Sequence, residues 1–392
     1  MKRLLFAFLS FIPVIMFGQN TITGIVIDSL TQEPLSSATV YINGTTQGTT
    51  TGNDGRFELN NVTFPATIIF SFVGYETETQ SLTGNPGEIL IELNANNELP
   101  QVDATGQERA KILQFFKEQF LGKDKWGENA TIRNDDHLFF IAETNDKIDL
   151  TLYNDAKRDT VSIFGKAGIN PADMTFIKIG RHITSLKAWA DEAIIIDLPL
   201  LGYQLYVNLV EFTYKETRNG DQCNTLGYFY YKPYNTNRES KIKEFEKNRK
   251  LAYYNSTRHF LRSLSQGRLK ENGYKFLIAE TENSDSLYTY FLYTPLNISR
   301  HFTAINDEEM LAHGLKNKRV KVIYCHQRDN SPVILKDDDD ASKYQSESGI
   351  HFLKDSCTFL KEGVVTDNNI VFTGDMANKK VASCLPDDYQ PQ

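Results

Sequence analysis

Two hydrophobic periods alternate along this chain of 392 residues and divide it into regions. From Thr21 to Leu93, apolar residues recur at about every second position in short runs: "TITGIVID", "ATVYING", "ATIIFSFVGYETETQSL" and "EILIEL". Runs this short, separated by turn formers with no helical period between them, predict a small antiparallel β-sandwich. At 107–122 the period changes. In "QERAKILQFFKEQFLG", Ile112, Phe116 and Phe120 fall on one helical face and Gly122 follows as a stop, which predicts an amphipathic helix. Strand-like runs then resume, from "HLFFIAE" through "GYQLYVNLVEFTYKE" and "LGYFYYKPY" to "NIVFTG". Two helices interrupt them. One is the charged "RESKIKEFEKNRKLAYY"; in the other, "NSTRHFLRSLSQG", Phe260, Leu261 and Leu264 share a face and Gly267 closes the last turn. The expected fold class is mostly β. A sandwich occupies 20–95, a polar linker 96–106, and a β-rich α+β domain with inserted helices 107–392.

The glycine- and threonine-rich stretch at 45–59, "TTQGTTTGNDGRFEL", raises three possibilities. A phosphate-binding loop needs Lys and then Ser or Thr after its last glycine, and here Arg56 and Phe57 follow Gly55. A calcium loop needs alternating carboxylates, and only Asp54 is available among its central positions. Asn53-Asp54-Gly55 is turn chemistry, since these residues tolerate positive φ, so the stretch predicts a β-hairpin.

Composition adds the compartment. Lys2 and Arg3 precede an apolar run from Leu4 to Phe17 that ends in Gly18-Gln19, the pattern of a secretory signal peptide at 1–19. No later run is long and apolar enough for a membrane helix, so no transmembrane segment is expected after signal removal. The formal net charge of −8, without a basic stripe, argues against nucleic acid as a partner. The four cysteines, Cys223, Cys325, Cys357 and Cys384, are widely spaced with no C-x-x-C pair. Zinc is therefore not expected, and export leaves disulfides open.

Ordered positions in the first region resemble a known family. Gly24, Val26 and Asp28, then Pro34, Leu35, Ala38 and Val40, fit the pattern of the carboxypeptidase regulatory-like domain. Gly44, Thr45, Gly55, Phe57, Ser71, Gly74 and Tyr75 continue it, with Gly52 departing where the family usually has Asp. The resemblance implies a prealbumin-like sandwich without an active site of its own. Such domains also precede the plugs of TonB-dependent transporters, but the chain beyond Gln107 is too short for a barrel of about 22 strands. A weaker resemblance of "LGYQLYVNLVEFTY", "KNRKLAYYNSTRHFLRSL" and "GDMANKKVASCLPDDYQP" is to exported Bacteroidota proteins with the same front domain; it implies no activity.

Candidate chemistry is sparse. Arg258 and Arg262 stand one helical turn apart beside His259, Tyr253 and Tyr254, a spacing that would let both guanidiniums clamp an acidic ligand or partner peptide. Arg258, His259, Arg262 and Tyr254 are thus the candidate partner-binding residues. On this reading the charged face is exposed, and removing both arginines leaves the melting point nearly unchanged. On the other reading, which fits the rule that lone charged helix faces usually do no chemistry, His259 and the arginines brace the β-domain through salt bridges and carbonyl contacts, and their removal lowers the melting point. Cys325-His326 would point to opposite faces of a strand, which argues against a nucleophile and its base. "KDDDDASK" at 336–343 fits a solvated acidic loop better than a cation site. Trp126 and Trp189 are the residues able to stack on a sugar. No catalytic residue, cofactor or metal is expected.

Together these features lead to the expectation of an exported, non-catalytic envelope protein. It would act as an interaction module at the periplasmic face of the outer membrane, as an accessory to a protein partner such as an outer-membrane barrel. Glycan or peptide binding is the alternative, and an unrecognised hydrolase a third reading.

Overall fold

The computed structural model describes residues 20–96, 106–149, 151–153, 160–162, 178–217, 221–285, 288–337, 342–366 and 369–391. The expected leader at 1–19, most of the expected linker and the centre of the acidic run lie outside these residues. The chain forms two compact units, one from Met1–Asn43 and Gln47–Asn96, the other from Gly44–Thr46 and Asn97–Gln392. The protein is mostly β, as the hydrophobic pattern indicates.

In the first unit the strands are β1 (Ile22–Asp28), β2 (Thr39–Ile42), β3 (Gly48–Thr50), β4 (Arg56–Leu59), β5 (Ala66–Ser71), β6 (Glu78–Leu82) and β7 (Glu88–Leu93). They form two sheets, ordered β4-β1-β7 and β3-β2-β5-β6. Alternation drives the layering, because every second side chain of a strand faces the other sheet. Phe57 of one sheet meets Phe70 of the other edge to face, with ring centroids 5.6 Å apart. Val26, Val40, Ile68 and Phe70 are fully buried between the layers. One pair departs from the antiparallel expectation: β1 and β7 run parallel.

The stretch at 45–59 is not a hairpin. β3 pairs with β2 and β4 with β1, so the turn at 51–55 carries the chain from one sheet to the other. Gly55 sits there at φ +70°, and its carbonyl accepts from Val26 N at 2.9 Å. Thr51 pins the corner by donating to Leu35 O at 2.5 Å and accepting from Ala38 N at 2.9 Å. Residue types alone indicated a turn with positive φ; they could not indicate which strands flank it.

The family pattern also has a structural cause in this unit. Asp28 ends β1 with its carboxylate accepting from Tyr75 Oη at 2.6 Å and from the amides of Leu30 and Thr31 at 2.7 Å each. The tyrosine hydroxyl and these amides hold the Asp28 carboxyl down at about 2. Two motif positions far apart in sequence are one hydrogen-bonded pair.

The second unit opens with α1 (Gly106–Phe120) and α2 (Lys125–Asn129), followed by β8 (Thr131–Ile132), β9 (Leu138–Asp149), the short β10 (Thr151–Tyr153) and β11 (Thr160–Ser162), and β12 (Lys178–Ala190). After these come β13 (Ile194–Leu198), β14 (Tyr203–Lys215) and β15 (Gln222–Pro233), then α3 (Glu239–Tyr253) and α4 (Thr257–Ser265). The last part holds β16 (Tyr274–Asp285), β17 (Tyr288–Pro295), α5 (Ile298–His301), β18 (Phe302–Ala304), β19 (Glu309–His313), β20 (Val320–His326), β21 (Tyr344–Phe352), β22 (Ser356–Leu360) and β23 (Ile370–Gly374).

Two cores hold this unit together. In the first, α1 lies on the sheet β8-β13-β14-β12-β9, with β15 on the free edge of β14. Phe116 and Phe120, one turn apart as expected, both contact Phe212 of β14, at 5.2 and 5.7 Å. The second core gathers Phe260, Leu261 and Leu264 of α4 against the sheet β17-β16-β20-β21-β23 and the smaller sheet β18-β19-β22. Tyr254, between α3 and α4, packs against both cores.

Candidate functional site

Helix α4 begins at a Ser256 cap whose hydroxyl accepts from His259 N at 3.1 Å. Its apolar face is buried as the spacing requires. Its polar face is buried as well, which agrees with the bracing reading of this group and not with an exposed clamp. Arg262 is 4% exposed, and its guanidinium donates to Glu362 O at 2.6 Å, Tyr389 O at 2.9 Å and Asp387 O at 3.2 Å. Arg258 donates to Leu385 O at 2.9 Å and Pro386 O at 2.5 Å, and forms an ion pair with Asp387. The two guanidiniums therefore fasten the final segment of the chain over the helix. Helical spacing cannot reveal a cover that arrives more than a hundred residues later.

His259 is buried beneath them. Its Nδ1 accepts from Tyr274 Oη at 2.8 Å and from Asn255 N at 3.2 Å, and Asn272 is a further side-chain partner. Burial first, then the charges of Lys379 and Arg262, hold the imidazole neutral, down at about 3. Its reference value is 6.5, so between pH 6.5 and 3 the unfolded chain takes up a proton here that the folded chain refuses. Stability from this group is present above pH 6.5 and is lost as pH falls through that window. His259→Gln, which keeps an acceptor without titrating, should lose less stability than the parent between pH 7 and 4 in urea unfolding. Equal losses would contradict the buried neutral imidazole.

The other candidates resolve into structure. Among the described residues none of the four cysteines is in a disulfide, and Cys325 and Cys357 are fully buried. His326 is half-buried beyond Cys325, its Nδ1 donating to Gln327 O at 2.7 Å, so the two side chains diverge as strand geometry requires. Among the described residues, neither His259 nor His326 forms an ion pair with a carboxylate. His137, just before β9, pairs with Asp191, just after β12, at 3.0 Å, and His182 within β12 pairs with Glu216, just past β14, at 3.3 Å. Trp189 stacks on Phe139 at 5.9 Å, and Trp126 is 8% exposed with Lys125 Nζ 4.4 Å above its ring. No cluster of three or more His, Cys, Asp or Glu side chains among the described residues is placed to hold a metal ion. No described helix is long and apolar enough to cross a membrane.

A cleft of about 910 Å³ in this unit was not evident from sequence. One wall is α3. The helix docks on the first core through Ala252 and Tyr253, with Phe245 buried against Tyr234 at 6.2 Å, Asn248 donating to Leu200 O at 2.9 Å and Arg249 to Leu201 O at 2.8 Å. Docking through these positions turns Lys243, Lys247, Lys250 and Leu251 into the cleft, with Tyr254 just past the helix end. A second wall is α2, where Asp124 caps the helix by accepting from Trp126 N at 3.0 Å and Gly127 N at 3.1 Å, and Lys125 follows the cap. The third is the turn at 328–331 after β20. It is shaped by Asn330 at φ +68° and by Asp329, which accepts from Ser331 Oγ at 2.7 Å. Lys379 closes the floor and donates to Ala252 O at 2.8 Å; burial draws its amine down to about 8, leaving it mostly charged at pH 7. Six cationic side chains thus line the cleft against two carboxylates, Glu246 and Asp329. Of the four candidates, Tyr254 alone lines it, while Arg258, His259 and Arg262 brace the fold beside it.

Residues 22–103 match the family model of the CarboxypepD_reg-like domain. Such domains are regulatory or binding modules and are not catalytic. No curated protein matches the chain. Among solved structures, a cohesin–X-dockerin complex from Acetivibrio cellulolyticus is 18% identical over 24% of this chain and 72% of its own, with a TM-score of 0.18. A Bacteroides fragilis protein, described as membrane-associated and of unknown function, is 10% identical over 55% of this chain and 99% of its own, with a TM-score of 0.16. At such scores neither defines the fold or function of this chain.

Proposed function

We propose that this chain is an exported, non-catalytic interaction protein of the cell envelope, working at the periplasmic face of the outer membrane as an accessory to a protein partner. One observation carries the reading: an open cleft lined by six cations, beside an arginine–histidine group whose hydrogen bonds are spent within the fold. A catalytic centre asks for a base positioned against a nucleophile or a polarised bond. The buried, neutral His259 serves none of these ends. The front module fits the same role, since its motif residues Asp28 and Tyr75 are engaged with each other. Export follows from the pattern at 1–19.

The test recovers the full chain, tagged at its C-terminus, from envelope fractions of cells that express it. The expected result is a mature N-terminus near Gly18 or Gln19 and a recurring co-purifying protein. Intact Lys2 on the envelope form, or turnover of peptide or glycan substrates by the purified chain, would overturn the proposal. Glycan or peptide binding by the second unit remains the alternative, and its distinguishing surface is the same cleft.

A further inference from the structure

We propose that the cleft of the second unit receives an acidic segment of a protein partner in extended conformation, held by the lysine row of α3 and by Arg328 of the turn after β20. The proposal rests on the interaction reading above and names the chemistry of its ligand.

Charge complementarity is the first argument. The whole chain is acidic, with 50 Asp and Glu against 42 Lys and Arg, yet the cleft lining reverses that balance. Elsewhere surface lysines are often answered locally, as Lys187 is by Glu211 at 2.5 Å and Lys321 by Glu347 at 3.0 Å. In the cleft, Lys243 reaches Glu239 at 4.0 Å at the limit of an ion pair, whereas among the described residues Lys247, Lys250 and Arg328 have no carboxylate in ion-pair range, although Asp329 lies close enough to interact with Lys247. Cations in excess over carboxylates in a concavity raise the local concentration of an anion.

Spacing is the second argument. Lys243, Lys247 and Lys250 advance along α3 by about 6 Å and then about 4.5 Å at 1.5 Å per residue. Same-face side chains of an extended peptide repeat every 6.6–7 Å or so, which lysine stems easily span. Lysine heads are point charges without the planar fork of arginine, so the row suits a series of carboxylates better than one fixed anion. The half-buried Leu251 between the charges offers apolar contact to intervening side chains.

The third argument separates peptide from saccharide. Sugar rings are held by open aromatic faces, and the tryptophan of this cleft has its face covered by Lys125. Tyr254 is likewise engaged, with the His259 ring centroid 5.6 Å away.

The experiment measures binding of a synthetic peptide with Glu at alternate positions to the intact chain at about 0.1 M salt. Its Gln counterpart and a sulfated polysaccharide serve as comparison probes. The expected result is saturable binding of the Glu peptide, at least about 10-fold weaker for the Gln peptide, and loss of affinity at high salt. Lys247→Glu and Arg328→Glu should each weaken binding by about 10-fold or more, because a like charge then faces the ligand. Both positions are exposed and lie on separate elements, so one can be read even where the other perturbs folding. Equal binding of the Glu and Gln peptides, or affinity unchanged in both variants, would overturn the proposal. So would tight binding of the polysaccharide without the peptide. Should the peptide fail while an envelope protein is still captured by both variants, the cleft assignment falls and the interaction reading stands.

Discussion

Arg262→Ala should destabilise the second unit by about 3–5 kcal/mol, the usual cost of removing one partner from a buried charged network and leaving the other groups uncompensated. The carbonyls of Glu362, Asp387 and Tyr389 would each lose a charged donor, and Tyr253 would lose the cation 5.7 Å from its ring centre. With about 2–4 °C lost per kcal/mol in a unit of this size, the unfolding midpoint should fall by roughly 10 °C. Arg262→Lys should recover only part, because an ammonium cannot reach three divergent carbonyls with the arginine geometry. The partner-clamp reading of the sequence predicts the opposite, a nearly unchanged midpoint, on the premise that the guanidiniums face water; the bracing reading predicts a fall. Thermal unfolding separates the two, and a midpoint within a degree of the parent would show that the final segment is not fastened here.

Gly55→Val should be as costly to the first unit. A Cβ at Gly55 would stand 2.6 Å from Val26 O and 3.0 Å from Pro34 Cβ, and φ is +70°, a region that a β-branched residue enters only with strain. Positive φ alone costs about 1–3 kcal/mol in a non-glycine residue, and the contact with a strand carbonyl adds to it. A loss of about 3 kcal/mol corresponds to roughly 100-fold faster exchange of the β1 amides wherever exchange proceeds through unfolding of this unit. Hydrogen exchange on the intact chain, read at Val26 and Ile27, gives that number directly. Rates equal to the parent's would mean that the corner tolerates a side chain and that the sheet-to-sheet crossing has another cause.

What the sequence made legible was mostly local. The period of Ile112, Phe116 and Phe120 fixed the buried face of α1, and Phe260, Leu261 and Leu264 did the same for α4. Positive φ at Gly55 and Gly267 followed from turn chemistry. The pairing of β3 and β4 with different partners did not, because a turn signal is silent about which strands it joins. The site was hidden for a related reason. Arg258 and Arg262 look solvated until residues 385–389 are laid over them. The lysines of α3 look like an ordinary charged face until Lys125 and Arg328, each far away in sequence, complete the cleft. One signal was available: Phe245, Asn248, Arg249 and Ala252 share a face of α3, so the lysine side could have been recognised as the one turned from the core.

The central claim is that this chain works by holding a partner through the second unit. Crosslinking in intact cells tests it most directly, comparing the full chain with the Lys247→Glu/Arg328→Glu double variant and identifying what each captures. The account predicts one recurring protein with an exposed acidic segment, crosslinked by the parent and lost from a variant that is still exported and folded. The same captured set from both chains, or no recurring protein from the parent, would contradict it.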